Sequence, residues 1–209
     1  MSRNDKIHEA MTALTSGDAD ERAEAIAVLA EVRHAPAVEP MVNMLPNVDP
    51  GTRYLIVKAL GQIEDAGAVP VLLQAIRWDD IWTRAAVTEA LIRIGGASAV
   101  EGLVEALRDQ NKAVRRAAAK ALGKIGARHD SDQQQAVTRG LSAALLDVDK
   151  GVRRFAAEAL GRVHADGKVA ELTETLDDGN LEVRLAAFRA LAEIDTPEAQ
   201  AAVRRWAKQ

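Results

Sequence analysis

Few side chains in this sequence of 209 residues could carry out chemistry, and none of them is a cysteine. Without a thiol there is no disulfide, no thiolate metal ligand and no cysteine nucleophile. His129, Asp130 and Asp132 lie in one short segment, and His164 and Asp166 lie in a turn farther along. Imidazole and carboxylate groups can bind divalent metal ions. They are also common in solvated turns, and we expect neither a metal nor another cofactor.

Three large aromatic side chains are candidates for binding rather than catalysis. Only 3% of the residues are aromatic, yet Tyr54, Trp78 and Trp82 lie close together in the sequence. Exposed tryptophan and tyrosine dominate many protein-binding surfaces. Alternatively, the two indole rings pack locally over a turn. We predict a partner-binding role for these three residues and leave the second interpretation open.

The elements that position these residues follow from a repeat. Arginine recurs at intervals of 31, 31, 31, 38 and 31 residues, always with leucine seven residues later and a β-branched aliphatic residue ten residues later. We call these six residues the ladder arginines. They are Arg22, Arg53, Arg84, Arg115, Arg153 and Arg184. The apolar residues that follow each one recur with a period near 3.6, which predicts an amphipathic helix of about 14 residues.

Four residues before each ladder arginine stands aspartate or asparagine, the residue types that cap helix N-termini. The predicted caps are Asp18, Asp49, Asp80, Asn111, Asp149 and Asn180. A second helix, marked by pairs such as Leu72 and Ile76, follows each first helix. Each repeat is therefore a helical hairpin, and hairpins of this kind bury their apolar faces by stacking into a solenoid.

The predicted domain organisation is one repeat domain over residues 1–209, beginning with a capping helix at 1–15. The six repeats are assigned to residues 16–46, 47–77, 78–108, 109–146, 147–177 and 178–209. The fourth repeat is longer because of an insertion within 127–135, to which we assign no role. Since an active site is needed only once, an arginine that recurs in every repeat is predicted to be structural. We expect each one to reach an aspartate or a carbonyl group of the neighbouring hairpin.

Residues 147–161 read Asp-Val-Asp-Lys-Gly-Val-Arg-Arg-Phe-Ala-Ala-Glu-Ala-Leu-Gly, and residues 111–123 follow the same pattern. This pattern resembles the short HEAT-like repeat found in phycobilisome lyases, and the resemblance covers about residues 16–209. It implies an all-α fold, a right-handed α-solenoid of about six HEAT-like hairpins. It also implies two kinds of function, namely binding of another protein or a bilin lyase activity on phycobiliproteins.

Exposed positions on the second helices are further candidates, because solenoids commonly bind partners along the groove that these helices line. The predicted partner-binding residues of this row are Glu39, Asn43, Gln74, Arg77, Glu101, Glu105 and Arg108. The same row continues to Arg139, Glu171 and Glu174.

Charge and hydropathy narrow the choice of partner. The net charge is −4 and the sequence pI is about 5.6, which disfavours nucleic acid although a basic stripe runs through two first helices. That stripe comprises Lys112, Arg116, Lys120, Lys124, Arg154 and Arg162. No apolar segment is long enough to span a membrane and the N-terminus is polar. We therefore expect a cytoplasmic protein that contacts no membrane.

We favour a non-enzymatic interaction or scaffold module whose protein partner the sequence does not name. The alternative is a bilin lyase, or a lyase-like chromophore chaperone, that acts on phycobiliproteins. In that case the tryptophans would stack on the tetrapyrrole, and Arg77 or Arg108 would pair with its propionates. The lack of cysteine is compatible with this alternative, because the acceptor thiol belongs to the phycobiliprotein.

Overall fold

Every regular element is helical in the computed structural model, which describes residues 2–78, 80–126 and 131–208. The chain forms two compact units, residues 1–99 and residues 100–209. Each unit consists of stacked helical hairpins, which confirms the predicted all-α solenoid class. The prediction that residues 1–209 form one domain stays a prediction.

The first unit contains the capping helix and the first helical hairpins of the chain. Its helices are α1 (Arg3–Ser16), α2 (Ala19–Glu31), α3 (Val38–Met44), α4 (Pro50–Ile63), α5 (Val69–Ala75) and α6 (Ile81–Ile94). The boundary between the units falls within α7 (Gly96–Ala106). The later helices are α8 (Lys112–Gly126), α9 (Ser131–Ala144), α10 (Lys150–Arg162), α11 (Val169–Thr175), α12 (Leu181–Glu193) and α13 (Pro197–Trp206).

All six predicted N-caps are confirmed, because each first helix begins at the residue that follows its cap. The side-chain oxygen of each cap accepts a hydrogen bond from a backbone N–H of the first turn, as Asp18 does from Glu21 at 2.9 Å. The other five caps do the same. Pro50 occupies the first position of α4, where a backbone N–H would have no intrahelical acceptor, so its absence costs no hydrogen bond.

The leucine seven residues after each ladder arginine forms the centre of the core. All six of these leucines are completely buried: Leu29, Leu60, Leu91, Leu122, Leu160 and Leu191. Around them the first helices stack on one another, α2, α4 and α6 in the first unit and α8, α10 and α12 in the second.

Neighbouring first helices approach closely where glycine meets alanine. A Cβ atom placed on Gly123 would lie 2.8 Å from the Cα of Ala159, and one placed on Gly161 would lie 2.7 Å from the Cα of Ala190. In the first unit Gly61 has the same relation to Ala90, at 2.9 Å. Because real Cβ atoms do not approach so closely, glycine is required at these positions for the observed helix spacing.

The structural role predicted for the ladder arginines is confirmed. Each guanidinium donates to backbone carbonyl groups five to eight residues earlier, as Arg53 does to Leu45 at 3.2 Å and to Val48 at 3.1 Å. Arg22, Arg84, Arg115, Arg153 and Arg184 make equivalent bonds. These carbonyls lie at the end of the preceding helix or in the turn after it, where no helical N–H remains to bind them.

Two ladder arginines also bind an aspartate of the following repeat. Arg115 donates to both carboxylate oxygens of Asp147, at 2.6 and 2.9 Å, and Arg153 does the same to Asp178, at 2.7 and 3.0 Å. Both pairs are largely buried. The arginine thus connects three successive segments of the chain.

The turn after several first helices contains a residue with positive φ, eleven positions after the ladder arginine. Arg33 has a φ of 51°, Glu64 of 62° and His164 of 47°, and the equivalent Gly95 has a φ of 61°. Left-handed residues of this kind commonly end helices. His164 therefore occupies the position at which the turn after this first helix takes a positive φ.

Replacement of Gly123 by alanine tests the close approach of the first helices. In an ordinary helix this change stabilises by about 1 kcal/mol, but here the new methyl group would meet Ala159. We expect the free energy of unfolding to fall by about 1–3 kcal/mol, as measured by urea denaturation followed by circular dichroism. Gly179→Ala is the control, because nothing lies within 4 Å of the added atom. A Gly123→Ala protein as stable as the wild type would contradict this packing argument.

The ion pair of Asp149 predicts a dependence of stability on pH. Arg116 donates two hydrogen bonds of 2.6 Å to the Asp149 carboxylate and is the main cause that lowers the pKa of Asp149 from 3.8 to about 2. A carboxyl whose pKa is lowered by folding stabilises the folded state above its unfolded pKa, and this contribution disappears as the pH falls to the folded pKa.

We therefore expect wild-type stability to fall more steeply than that of Asp149→Asn between pH 3.8 and about 2. Asparagine still caps helices. At neutral pH the loss of the ion pair should therefore lower the variant's free energy of unfolding by only about 1 kcal/mol. Unfolding curves at several pH values measure the difference, with Asp177→Asn as the control for an exposed carboxylate. Parallel curves for wild type and Asp149→Asn would refute the assignment.

Candidate functional site

Trp78 occupies a position that belongs to the arginine ladder. It lies six residues before Arg84, and the equivalent residues of the later repeats are Asp109, Asp147 and Asp178. The guanidinium carbon of Arg53 lies 4.6 Å from the centroid of the Trp78 ring system. A cation–π contact thus replaces the ion pair that Arg153 makes with Asp178. The half-buried indole is part of the frame, as in the local-packing interpretation of the sequence.

Trp82, four residues later, is not held in this way. It is the second residue of α6 and is 73% exposed. Its backbone N–H donates to the Asp80 carboxylate at 3.1 Å, as does that of Thr83 at 3.0 Å. The hydroxyl of Thr83 is the main cause that lowers the pKa of Asp80. The cap is therefore ionised at neutral pH, and it fixes the first turn that presents the indole to solvent.

Tyr54 and Trp82 lie on opposite sides of a groove between α4 and α6, which we call the aromatic groove. Its volume is about 510 Å³. The lining residues are Tyr54, Lys58, Gly61, Gln62, Trp82, Ala85, Ala86, Glu89, Ala90 and Arg93. Trp78 is not among them. The structure thus brings two of the three predicted aromatic residues together and assigns the third to the frame.

The groove follows from the close approach of the two helices. Gly61 and Ala90 are buried where α4 and α6 meet, and neither residue has a side chain large enough to fill the depression beside the contact. Lys58 projects over the ring of Tyr54, with its ammonium nitrogen 5.4 Å from the ring centroid. The result is a shallow groove with small residues at its base, aromatic rings on both sides and cationic side chains along the rim.

A second groove of about 500 Å³ adjoins the first on the same unit, between α2 and α4. Lys58, Gln62 and Arg93 line both grooves, and Leu55, which is 36% exposed, lines the second. The first helices of residues 1–99 therefore present one continuous surface with apolar and aromatic side chains and with charged side chains of both signs. Such a surface is suited to contact with another protein.

The sequence matches the family described as HEAT repeats over residues 7–92, 69–141 and 138–209. The chain belongs to the HEAT repeat family. No curated protein matches the sequence.

Solved structures with a similar fold include proteins made by design. An engineered protein is 26% identical, with a TM-score of 0.58 over 90% of this chain and 96% of that one. A designed armadillo repeat protein in complex with a (KR)4 peptide is 18% identical, with a TM-score of 0.58 over 90% and 99%. The complex of CpcE and CpcF of phycocyanin lyase from a Nostoc species is 20% identical, with a TM-score of 0.49 over 97% and 94%.

The predicted second-helix residues of this HEAT repeat protein are all exposed, but they are not part of the aromatic groove. Glu39, Asn43, Gln74 and Arg77 belong to the first unit, and Glu101, Glu105 and Arg108 belong to the second. Arg77 donates to its own helix, to the Leu73 carbonyl at 3.1 Å. The row therefore supplies one candidate surface in each unit, separate from the aromatic residues.

The basic stripe is partly neutralised by neighbouring carboxylates. Arg116 is paired with Asp149, and Glu158 lies 3.2 Å from Arg154 and 3.9 Å from Arg162. These pairs reduce the positive potential that would attract phosphate groups.

His129 and Asp130, two of the candidate metal ligands, lie outside the described residues. Among the residues that the structure describes, no three potential ligand side chains cluster. Within residues 2–78, 80–126 and 131–208, no helix has the length and apolarity needed to cross a bilayer.

The residues that line the aromatic groove beside its two rings were not predicted from the sequence. Lys58 and Glu89 each lie five residues after a ladder arginine, and Gln62 and Arg93 each lie nine residues after one. These two positions lie one turn apart on the outward face of a first helix. The signal was therefore present in the repeat period. It could have been found by comparing the outward positions, as well as the core positions, of successive repeats.

Proposed function

We propose that this HEAT repeat protein is a non-enzymatic interaction module that binds a protein partner through the aromatic groove and through its second-helix residues. The observation that carries the proposal is the exposure of Trp82, which is 73% exposed at the edge of the groove. Tryptophan is among the residues that contribute most to binding at protein interfaces. An indole held outward by a capped helix turn needs no rearrangement before it is buried by a partner.

The energetic argument uses the area of one side chain. A tryptophan buries 150–250 Å² when it is fully covered, so covering the exposed part of Trp82 contributes about 3–4 kcal/mol of hydrophobic free energy before the costs of association. Small residues at the base of the groove would let a partner side chain lie between Tyr54 and Trp82. The charged groups on the rim, Lys58, Arg93 and Glu89, would then select the partner's sequence.

The exposed second-helix residues would contribute specificity more than affinity. Glu39, Gln74, Arg77, Glu101 and Arg108 are charged or polar and remain in contact with water. Ion pairs at such positions contribute little net free energy but disfavour partners with mismatched charges. We therefore assign the main anchor of the interaction to the aromatic groove.

A comparison of variants tests the proposal. Purified wild type, Trp82→Ala and Leu181→Ala are used to capture proteins from the source organism, and bound proteins are quantified by mass spectrometry. Leu181 is the control because it is also a large apolar residue in the first turn of a helix and is 55% exposed. We expect a partner that is captured equally by wild type and Leu181→Ala, whereas Trp82→Ala captures about 30-fold less of it. This ratio corresponds to a loss of about 2 kcal/mol of binding free energy, as expected for a hot-spot residue.

Stability measurements separate binding from folding in this experiment. Trp82→Ala should unfold at the same temperature as wild type because its ring is exposed. Trp78→Ala should be less stable by about 1–2 kcal/mol because it removes the cation–π contact with Arg53. Identical sets of captured proteins for wild type and Trp82→Ala would reject the aromatic groove as the binding site.

The second candidate function is that of a bilin lyase or a lyase-like chromophore chaperone. One observation favours it: the aromatic groove carries Lys58 and Arg93 beside the two rings. A tetrapyrrole stacked on these rings could pair its propionates with the two cations. Arg77 and Arg108, which were predicted for this role, do not line the groove.

Absorption spectra with phycocyanobilin distinguish this candidate from the first. If the groove holds a bilin, mixing the pigment with the protein should sharpen and shift the visible band, and Trp82→Ala should abolish the effect. Bovine serum albumin shows what non-specific binding of the pigment looks like. An unchanged spectrum with the wild-type protein would eliminate the bilin interpretation and leave protein binding intact.

A further inference from the structure

The second unit presents three different chemistries at one position of its repeat. Seven residues before successive ladder arginines stand Arg108, Leu146 and Asp177. Each lies two residues beyond the end of a second helix, α7, α9 or α11, and each is exposed. Since equivalent positions of stacked repeats lie side by side, a cation, an apolar group and an anion follow one another in the second unit.

Leu146 is the unusual member of this series, because 86% of its surface is exposed. Its turn is fixed by the next residue, Asp147, whose carboxylate binds Arg115 at 2.6 Å and also accepts the backbone N–H of Asp149 at 2.8 Å. The leucine therefore projects from a rigid turn. Val148, on the other side of Asp147, is 93% exposed.

Two grooves connect the three residues. The first has a volume of about 410 Å³, and Arg108, Arg139, Val104 and Gly140 are among its lining residues. The second has a volume of about 430 Å³ and is lined partly by Arg139, Ala143, Leu146, Glu174 and Asp177. Because Arg139 and Ala143 line both grooves, the surface is continuous from the arginines to the acidic residues.

The charges at the two ends are available to a partner, whereas neighbouring charges are already paired. Asp147 and Asp178 bind ladder arginines, and Glu171 binds Lys168 at 2.8 Å. Within the described part of the chain, Arg108, Arg139, Glu174 and Asp177 make no side-chain ion pair. The pattern of free groups is therefore two guanidinium groups, an apolar centre and two carboxylates. We call this set the bipolar row.

We propose that the bipolar row binds an extended segment of a protein partner that carries an acidic, an apolar and a basic residue in regular spacing. The acidic residue pairs with Arg108 and Arg139, the apolar residue contacts Leu146, and the basic residue pairs with Glu174 and Asp177. The inference rests on the proposed function, because it assumes that second-helix residues such as Arg108 contact a protein. It adds the chemistry of the segment that is bound.

The repeat spacing fixes the spacing of the ligand. Packed helices lie about 8–10 Å apart, and a chain in the polyproline II conformation advances about 3.1 Å per residue with three residues per turn. Three residues of such a peptide therefore span about one repeat and return to the same face of the chain, so the three recognised residues should be separated by two others each. A peptide with adjacent charged and apolar residues has the same composition but cannot reach both ends of the row.

The test uses three heptapeptides with blocked termini. The probe is Glu-Ser-Ser-Leu-Ser-Ser-Lys, the spacing control is Ser-Ser-Glu-Leu-Lys-Ser-Ser, and the third peptide replaces the leucine of the probe with serine. Each is titrated into isotopically labelled full-length protein, and amide NMR shifts report both affinity and location. We expect the probe to shift resonances around Leu146 and to bind at least about threefold more tightly than either control, as exposed ion pairs allow.

Matched variants locate the contacts. Arg108→Ala combined with Arg139→Ala should weaken the probe about threefold to tenfold. Arg204→Ala combined with Arg205→Ala, an exposed pair on α13 with the same change of charge, should have no effect. Both double variants should remain folded, as expected for surface changes, and circular dichroism checks this.

The outcomes separate this inference from the proposed function. Equal affinity for the probe and the spacing control, shifts away from Leu146, or no binding would overturn the bipolar row, while capture by the aromatic groove could still succeed. If Trp82→Ala captures the same proteins as wild type but the probe binds as expected, the aromatic groove fails and the bipolar row stands.

Discussion

The contact between each ladder arginine and the carbonyl groups before it is the interaction on which the rest of the structure depends. A helix ends with carbonyl groups that lack intrahelical donors, and an unsatisfied buried carbonyl costs about 1–3 kcal/mol. Stacking hairpins places such an end beside the start of the next first helix. Arginine suits this junction because its guanidinium remains charged and offers five N–H donors in a fixed geometry. Carbonyl groups without intrahelical donors recur at every junction, and so does the arginine that binds them.

The same arginines determine which surface groups remain available. Arg115 and Arg153 each use two donors on a carboxylate of the following repeat, so Asp147 and Asp178 belong to the frame although their residue type suggests a surface charge. Glu174 and Asp177, a few residues away, have no such partner among the described residues. The distinction between structural and available charge is thus a consequence of repeat position, and it could not be made from composition.

The sequence predicted the caps, the buried leucines and the ladder because these depend on local geometry and on a period that survives from repeat to repeat. It did not predict the partner of Trp78, because that contact joins residues 25 positions apart and replaces an ion pair by a cation–π contact. It also missed the depth of the aromatic groove. That depth follows from the distance between two helices, which is set by Gly61 against Ala90 and is visible only when both helices are in place.

Trp78 and Trp82 show that a departure from the repeat can belong either to the frame or to the exposed surface. Both depart from the residue types of neighbouring repeats, and both stand beside the same N-cap, Asp80. Trp78 falls at a ladder position, where Arg53 is already oriented by two carbonyl groups and the ring fills the place of a carboxylate. Trp82 falls at an outward position, where no residue of the frame can cover it, and 73% of it remains exposed. A departure from the repeat is therefore a candidate for binding only where the position points away from the neighbouring repeats.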